Sequence, residues 1–195
     1  MSIRRATGLV LVALVSAGAG LWLGERYGGP PLPPVPDGVI VAGPGDPVPD
    51  LHLADLDGAI QPLRLHPDRP HLFNVWASWC PPCVSEMPVL DAFAQEQGDN
   101  GIEVVGIALD DPEAIRAFLA QVPARYRHLL DSPGPADSSV WLGNRRGLLP
   151  YSVLVDADGR IVRQHIGELD ARQLRRFARL DPRPDAAGSE IQTSD

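Results

Sequence analysis

Cys80 and Cys83, set in Trp79-Cys80-Pro81-Pro82-Cys83, are the only cysteines in this 195-residue chain. Two thiols at this spacing can pass between dithiol and disulfide by thiolate exchange. A purely structural bridge is a poor use of the pair, because closing a loop of four residues contributes only about 2 kcal/mol. Half of a zinc site would need two further ligands. His52, His66, His71, His128 and His165 show no paired ligand spacing. Pro81 suits the first turn of a helix, which sets Cys80 at the cap. A helix N-terminus offers unpaired N–H groups and about half a positive charge, which favour a thiolate there. Cys83 follows one turn on, placed to attack a mixed disulfide. Redox exchange is the preferred reading, with no metal and no dissociable cofactor.

The rest of the composition narrows the chemistry. All 17 basic residues are arginine, so Schiff-base catalysis and a lysine base are excluded. Against them stand 25 acidic residues, a net charge of −8. That balance suits neither nucleic acid nor an anionic membrane surface, and no nucleic-acid partner is expected. Two cysteines are too few for a disulfide-rich scaffold.

The pair needs a strand before it and a helix after it. His71 to Ala77 reads as a strand, and Pro81 to about Gln97 as a helix with Val84, Met87, Leu90, Phe93 and Ala94 at helical spacing. Pro88 lies inside that helix and should kink it. Upstream, Leu51–Leu53 and Pro62–Leu65 flank Asp57-Gly58, a hairpin signal. Ile102 to Leu109 is a buried strand, and Asp111-Pro112 starts a second helix. A short strand near His128 to Leu130 and a short helix near Ser138 to Leu142 follow. Tyr151–Val155 and Arg160–His165 form a hairpin about Asp158-Gly159. The last helix spans Asp170 to Leu180, with Arg172, Arg175, Arg176 and Arg179 on its outer face. This order predicts an α/β domain, a mixed central sheet with a parallel middle flanked by helices, over residues 48–180.

Residues 1–24 read as a membrane segment. Arg4-Arg5 precede an uncharged run, of which Thr7 to Gly24 is 18 residues, the lower limit for a core of about 30 Å. The flanking arginines place the remainder of the chain outside the cytoplasm. An uncleaved signal-anchor is preferred over a signal peptide cut near Ala17-Gly18-Ala19, because the apolar run continues to Leu21-Trp22-Leu23. Residues 25–47 are a Pro/Gly-rich spacer, and residues 181–195 a polar tail expected to be disordered.

The stretch from Asn74 to Pro88 (Asn-Val-Trp-Ala-Ser-Trp-Cys-Pro-Pro-Cys-Val-Ser-Glu-Met-Pro) resembles the active site of the TlpA/ResA/DsbE (CcmG) group of thioredoxin-fold oxidoreductases. Gly45–Leu51 and Gly147–Ile161 resemble two further parts of that domain, so the likeness covers roughly residues 45 to 180. Glu86-Met87-Pro88 is nearer to TlpA and ResA. Leu148-Leu149-Pro150-Tyr151-Ser152 departs from the loop common in the DsbE branch.

The resemblance implies a thioredoxin fold with an N-terminal β-hairpin extension. It implies a cis Pro150 facing the cysteines, and Trp79, Pro81, Pro82, Leu149 and Pro150 as the substrate-binding surface. It implies that Glu86, three after Cys83, manages protons at the pair. A solvent-exposed first-turn acid is the alternative role for Glu86. The expected protein is a monomer, tethered to the inner membrane with its domain in the periplasm. It reduces protein disulfides, including those of cytochrome c maturation or copper-site assembly, and is recharged by a membrane thiol reductant of the DsbD/CcdA kind. The rivals are an oxidant or isomerase on the same fold, a peroxidase (Ala77 stands where that chemistry has threonine) and a Cu(I) chaperone.

Overall fold

The computed structural model describes residues 13, 15–22 and 32–180. Two units separate by their contacts, Met1–Pro33 and Pro34–Asp195. In the first, residues 15–22 are helical. No helix among the described residues is long and apolar enough to cross a membrane. The expected membrane segment lies largely, and the expected tail wholly, outside the described residues.

The second unit is built on one sheet. Its strands are β1 (His52–Ala54), β2 (Ile60–Pro62), β3 (His71–Trp76), β4 (Glu103–Leu109), β5 (Arg127–Asp131), β6 (Tyr151–Val155) and β7 (Ile161–Ile166). They lie in the order β2-β1-β5-β4-β3-β6-β7. The β3–β4 and β4–β5 pairs are parallel and the outer pairs antiparallel. The mixed sheet with a parallel middle is as expected, and the N-terminal hairpin extends it at one edge. Four helices follow the sequence signals: α1 (Pro81–Gln97), α2 (Pro112–Gln121), α3 (Ser138–Trp141) and α4 (Ala171–Phe177). The Asp111 carboxylate caps α2 by accepting from the N–H groups of Glu113 and Ala114. Asp170 and Gln173 close a capping box on α4. Helix α1 continues through Pro88 as one element.

Strand alternation divides the core. Phe73, Val75, Val105, Ile107, Tyr151 and Val153 pack together in one cluster. Leu72, Leu154, Leu90 and Leu174 share a second, which takes in residues of α1 and α4. Trp76 and Ala108 join Cys80, Cys83, Met87 and Ile115 in a third. Even-numbered residues of β3 and β6 therefore face α1, and that puts Asn74 and Ser152 beside the active helix.

The last helix ends at Phe177 rather than Leu180, and two boundaries at the start of the domain also differ. The first hairpin pairs Leu53 with Gln61 and Ala54 with Ile60, so its second arm starts before Pro62. The cause is the Asp55 side chain, which accepts from the N–H groups of Asp57 and Ala59 and closes the turn early. The last residues of the expected spacer lie on the domain: Ala42 N–H donates to Trp141 O and Gly45 N–H to Ile161 O.

Gly143 shows how tightly this end is packed. Its φ is 108°. A Cβ there would fall 2.6 Å from Ala42 O, 3.0 Å from the Tyr151 hydroxyl and against Gln164 Nε2. Gln164 and Tyr151 both donate to Leu142 O at the end of α3. Gly143→Ala is expected to cost roughly 2–3 kcal/mol, a Tm fall of roughly 10 °C. Thermal denaturation checks this; a fall under about 2 °C would contradict it.

Candidate active site

The cysteines sit where β3 ends and α1 begins. They form a disulfide, with Cα atoms 5.3 Å apart. Cys80 is the N-cap of α1 with extended backbone, and Pro81 and Pro82 are its first two helical residues. The N–H inventory of this helix end is therefore short. Cys80 N–H donates to Ala77 O, and Val84 N–H makes the first helical bond to Cys80 O. Pro81 and Pro82 have no N–H to offer. That leaves Cys83 N–H, which points at Cys80 Sγ from 3.3 Å. One backbone donor, backed by the helix dipole, serves the Cys80 sulfur. Cys80 keeps 4% of its surface exposed and Cys83 1%.

The sheet register supplies the facing loop. Val75 pairs with Tyr151, so Pro150 falls at the level of Trp76, at the end of β3 that leads to the cysteines. The Leu149–Pro150 bond is cis. Leu149 is half-buried and packs against the cluster holding both cysteines. Trp79 is 64% exposed and Leu148 49%, and Pro81 and Pro82 are exposed beside them. An apolar rim thus borders a nearly buried disulfide. Behind it, Ser78 bonds to the Asp110 carboxylate through its hydroxyl and its N–H. That pins the loop before Cys80 to the end of β4.

Glu86 is fully buried, one turn beyond Cys83. The alternative of an exposed first-turn acid is set aside, because this face of α1 lies against β3 and β6. Glu86 Oε1 accepts from Leu169 N–H at 3.2 Å, and Oε2 from Asn74 Nδ2 at 3.4 Å. Burial is the main influence and pushes its pKa up to about 7; the two hydrogen bonds pull it down, and nearby Glu168 raises it. A buried carboxyl group, its pKa raised toward neutrality, thus lies one helical turn beyond Cys83.

The structure brings together the expected Cys80, Cys83, Glu86, Trp79, Pro81, Pro82, Leu149 and Pro150. It adds Asn74, Ser152, Asp110 and Leu148. Asn74 and Ser152 carried a sequence signal, each a polar residue within an otherwise apolar strand (His-Leu-Phe-Asn-Val-Trp and Tyr-Ser-Val-Leu-Val). Among the described residues no three His, Cys, Asp or Glu side chains cluster as metal ligands do.

Known proteins resemble this chain in sequence and fold. The Redoxin family profile matches residues 43–179. Thiol-disulfide oxidoreductase ResA of Bacillus anthracis is 28% identical over 131 residues, 67% of this chain and 73% of that protein. Thiol:disulfide interchange protein HelX of Rhodobacter capsulatus is 33% identical over 144 residues, 69% and 74% of the two chains. The crystal structure of a thioredoxin-related protein from Neisseria meningitidis serogroup B superposes with a TM-score of 0.57 at 30% identity, covering 65% of this chain and 95% of that one.

Proposed function

The chain belongs to the Redoxin family and is a protein thiol–disulfide oxidoreductase of thioredoxin fold; from that premise we propose that it works as a membrane-tethered reductase of protein disulfides outside the cytoplasm. The observation that carries the chemistry is the cysteine pair at a helix cap, faced by the Leu149–Pro150 loop and underlain by a buried acid.

In the reducing direction the Cys80 thiolate attacks one sulfur of a substrate disulfide. A mixed disulfide forms, and the second substrate sulfur leaves as a thiolate and takes a proton. Glu86 then accepts the Cys83 proton, and the Cys83 thiolate attacks Cys80 Sγ. The Cys80–Cys83 bond forms, the substrate's remaining sulfur is released, and two electrons have moved to the substrate. Trp79, Pro81, Pro82 and Leu149 hold the substrate chain, and the backbone beside Pro150 is open to pair with it. No dissociable cofactor takes part. A membrane dithiol reductant of the DsbD/CcdA kind returns the electrons, and the protein works as a monomer.

Donor count supports the reducing direction. Strong oxidants of this chemistry stabilise their reduced, thiolate form. Here two prolines remove two of the N–H groups that would do so, and a buried acid beside Cys83 disfavours a second negative charge. The potential of the full chain, measured against dithiothreitol and glutathione couples, is expected near the thioredoxin value of about −270 mV. A value near −120 mV, that of a strong oxidant, overturns the reading. The Arg4-Arg5 flank and the apolar run after it support the tether. Full-chain protein should resist alkaline extraction from membranes, and recovery in the soluble periplasmic fraction would show a cleaved leader instead.

A further inference from the structure

We infer that Asn74 is a positioning residue for the exchange reaction: its amide holds the Glu86 carboxylate by the oxygen that Leu169 does not bond, and so sets the pH at which the Cys80–Cys83 pair exchanges. The inference rests on the reading of Glu86 as the proton acceptor for Cys83.

Asn74 is 1% exposed in the middle of β3. Burying an amide in an apolar strand is unfavourable unless its N–H groups are paired. The two hydrogens on Nδ2 have two acceptors, Glu86 Oε2 at 3.4 Å and Ser152 Oγ at 3.1 Å. Glu86 is gripped from its other oxygen by Leu169 N–H. The same loop is fixed just before Leu169, since Gly167 N–H donates to Pro150 O and Ser85 Oγ donates to the Glu168 carboxylate. Each Glu86 oxygen is therefore connected to β6 next to Pro150, one through Asn74 and Ser152, the other through the Gly167–Leu169 backbone.

A donor to a carboxylate favours its ionised form, whereas burial favours the protonated one. Asn74 works against burial and keeps Glu86 able to ionise in the neutral range. The titratable and charged groups around Glu86 are the cysteine pair on its own helix, Glu168 on the loop and Tyr126 near β5. The Tyr126 phenol is held un-ionised by its own burial. None of these donates to Glu86, so the loss of Asn74 has no substitute. At 3.4 Å the contact is long, so removing it is expected to raise the Glu86 inflection by about half a pH unit rather than a full one.

Two readouts on the full chain test this. The carboxyl C=O infrared band of the oxidised protein titrates Glu86 directly. The release of the second thionitrobenzoate, as Cys83 resolves the mixed disulfide that Cys80 forms with 5,5′-dithiobis(2-nitrobenzoate), gives the pH profile of the step that Glu86 serves. Asn74→Leu should move both inflections upward. Asn74→Ser, which cannot overpack the site, should do the same and keeps the test open where the leucine variant does not fold. Ser152→Ala should lower Tm and leave the inflections in place, because it removes a bond to Asn74 and none to Glu86. The inference is overturned if the Asn74 variants leave the infrared inflection unmoved, or if Ser152→Ala moves it as far. Glu86→Gln separates the underlying reading: it should remove the infrared inflection and leave a rate profile set by the thiol alone. An unchanged rate profile in that variant would end the proton role of Glu86, with the hold by Asn74 still decided by the infrared band.

Discussion

Replacing Cys83 with alanine is expected to convert the protein into a trap. Cys80 remains at the helix cap with the Cys83-position N–H still directed at its sulfur, because that donor belongs to the backbone. It can therefore still attack a substrate disulfide. The second thiol, which lies one turn deeper and is 1% exposed, is gone, and the mixed disulfide has no internal nucleophile to release it. Turnover should fall on the order of a thousandfold or more, while a covalent complex accumulates that mass spectrometry can identify. Cys80→Ala should lose turnover to the same extent and accumulate nothing, since Cys83 stays buried with Trp76 and Met87 in their shared cluster. Equal trapping by both variants would show that the roles of the two sulfurs are not set by their places on the helix.

The cysteine pair, its helix and the sheet were readable because their signals are local. Asp111-Pro112 and Asp170 mark helix starts through side chains that bond within three residues. The apolar strands β3, β4 and β6 announce themselves by composition. The state of Glu86 was not readable in that way. An acid six residues past a helix cap looks the same in sequence whether it meets water or a sheet. Its burial depends on β3 and β6 lying side by side, so that Asn74 meets Ser152, 78 residues away. The early hairpin turn was missed for the opposite reason. Asp57-Gly58 is a turn signal, but the Asp55 carboxylate two residues before it decides where pairing begins. The proposed membrane segment would depend on its surroundings rather than on contacts within the fold, and what supports it is the N-terminal sequence.

Glu86 should also leave a signature in the pH dependence of stability. Its carboxyl is raised from 4.5 to about 7 in the folded protein, chiefly by burial. Between those values the folded chain holds a proton that the unfolded chain has lost. Stability then decreases as pH rises, because the folded state binds more protons than the unfolded one. Below pH 4.5 both states are protonated and above pH 7 both are ionised, so the loss is confined to that window. A shift of about 2.5 pH units corresponds to about 3 kcal/mol, large beside an ordinary domain's total. Glu86→Gln keeps the shape of the side chain and cannot ionise. Its stability should lack this decrease, so the variant gains on the parent protein steadily from pH 4.5 to 7 and holds the gain above. The same substitution should lengthen the life of the mixed disulfide at neutral pH, because Cys83 loses its proton acceptor. Urea unfolding of both proteins at pH 5 and pH 8 measures the first effect. If their stability difference is the same at the two pH values, Glu86 is ionised in the folded protein throughout, and the rise in its pKa by burial is refuted.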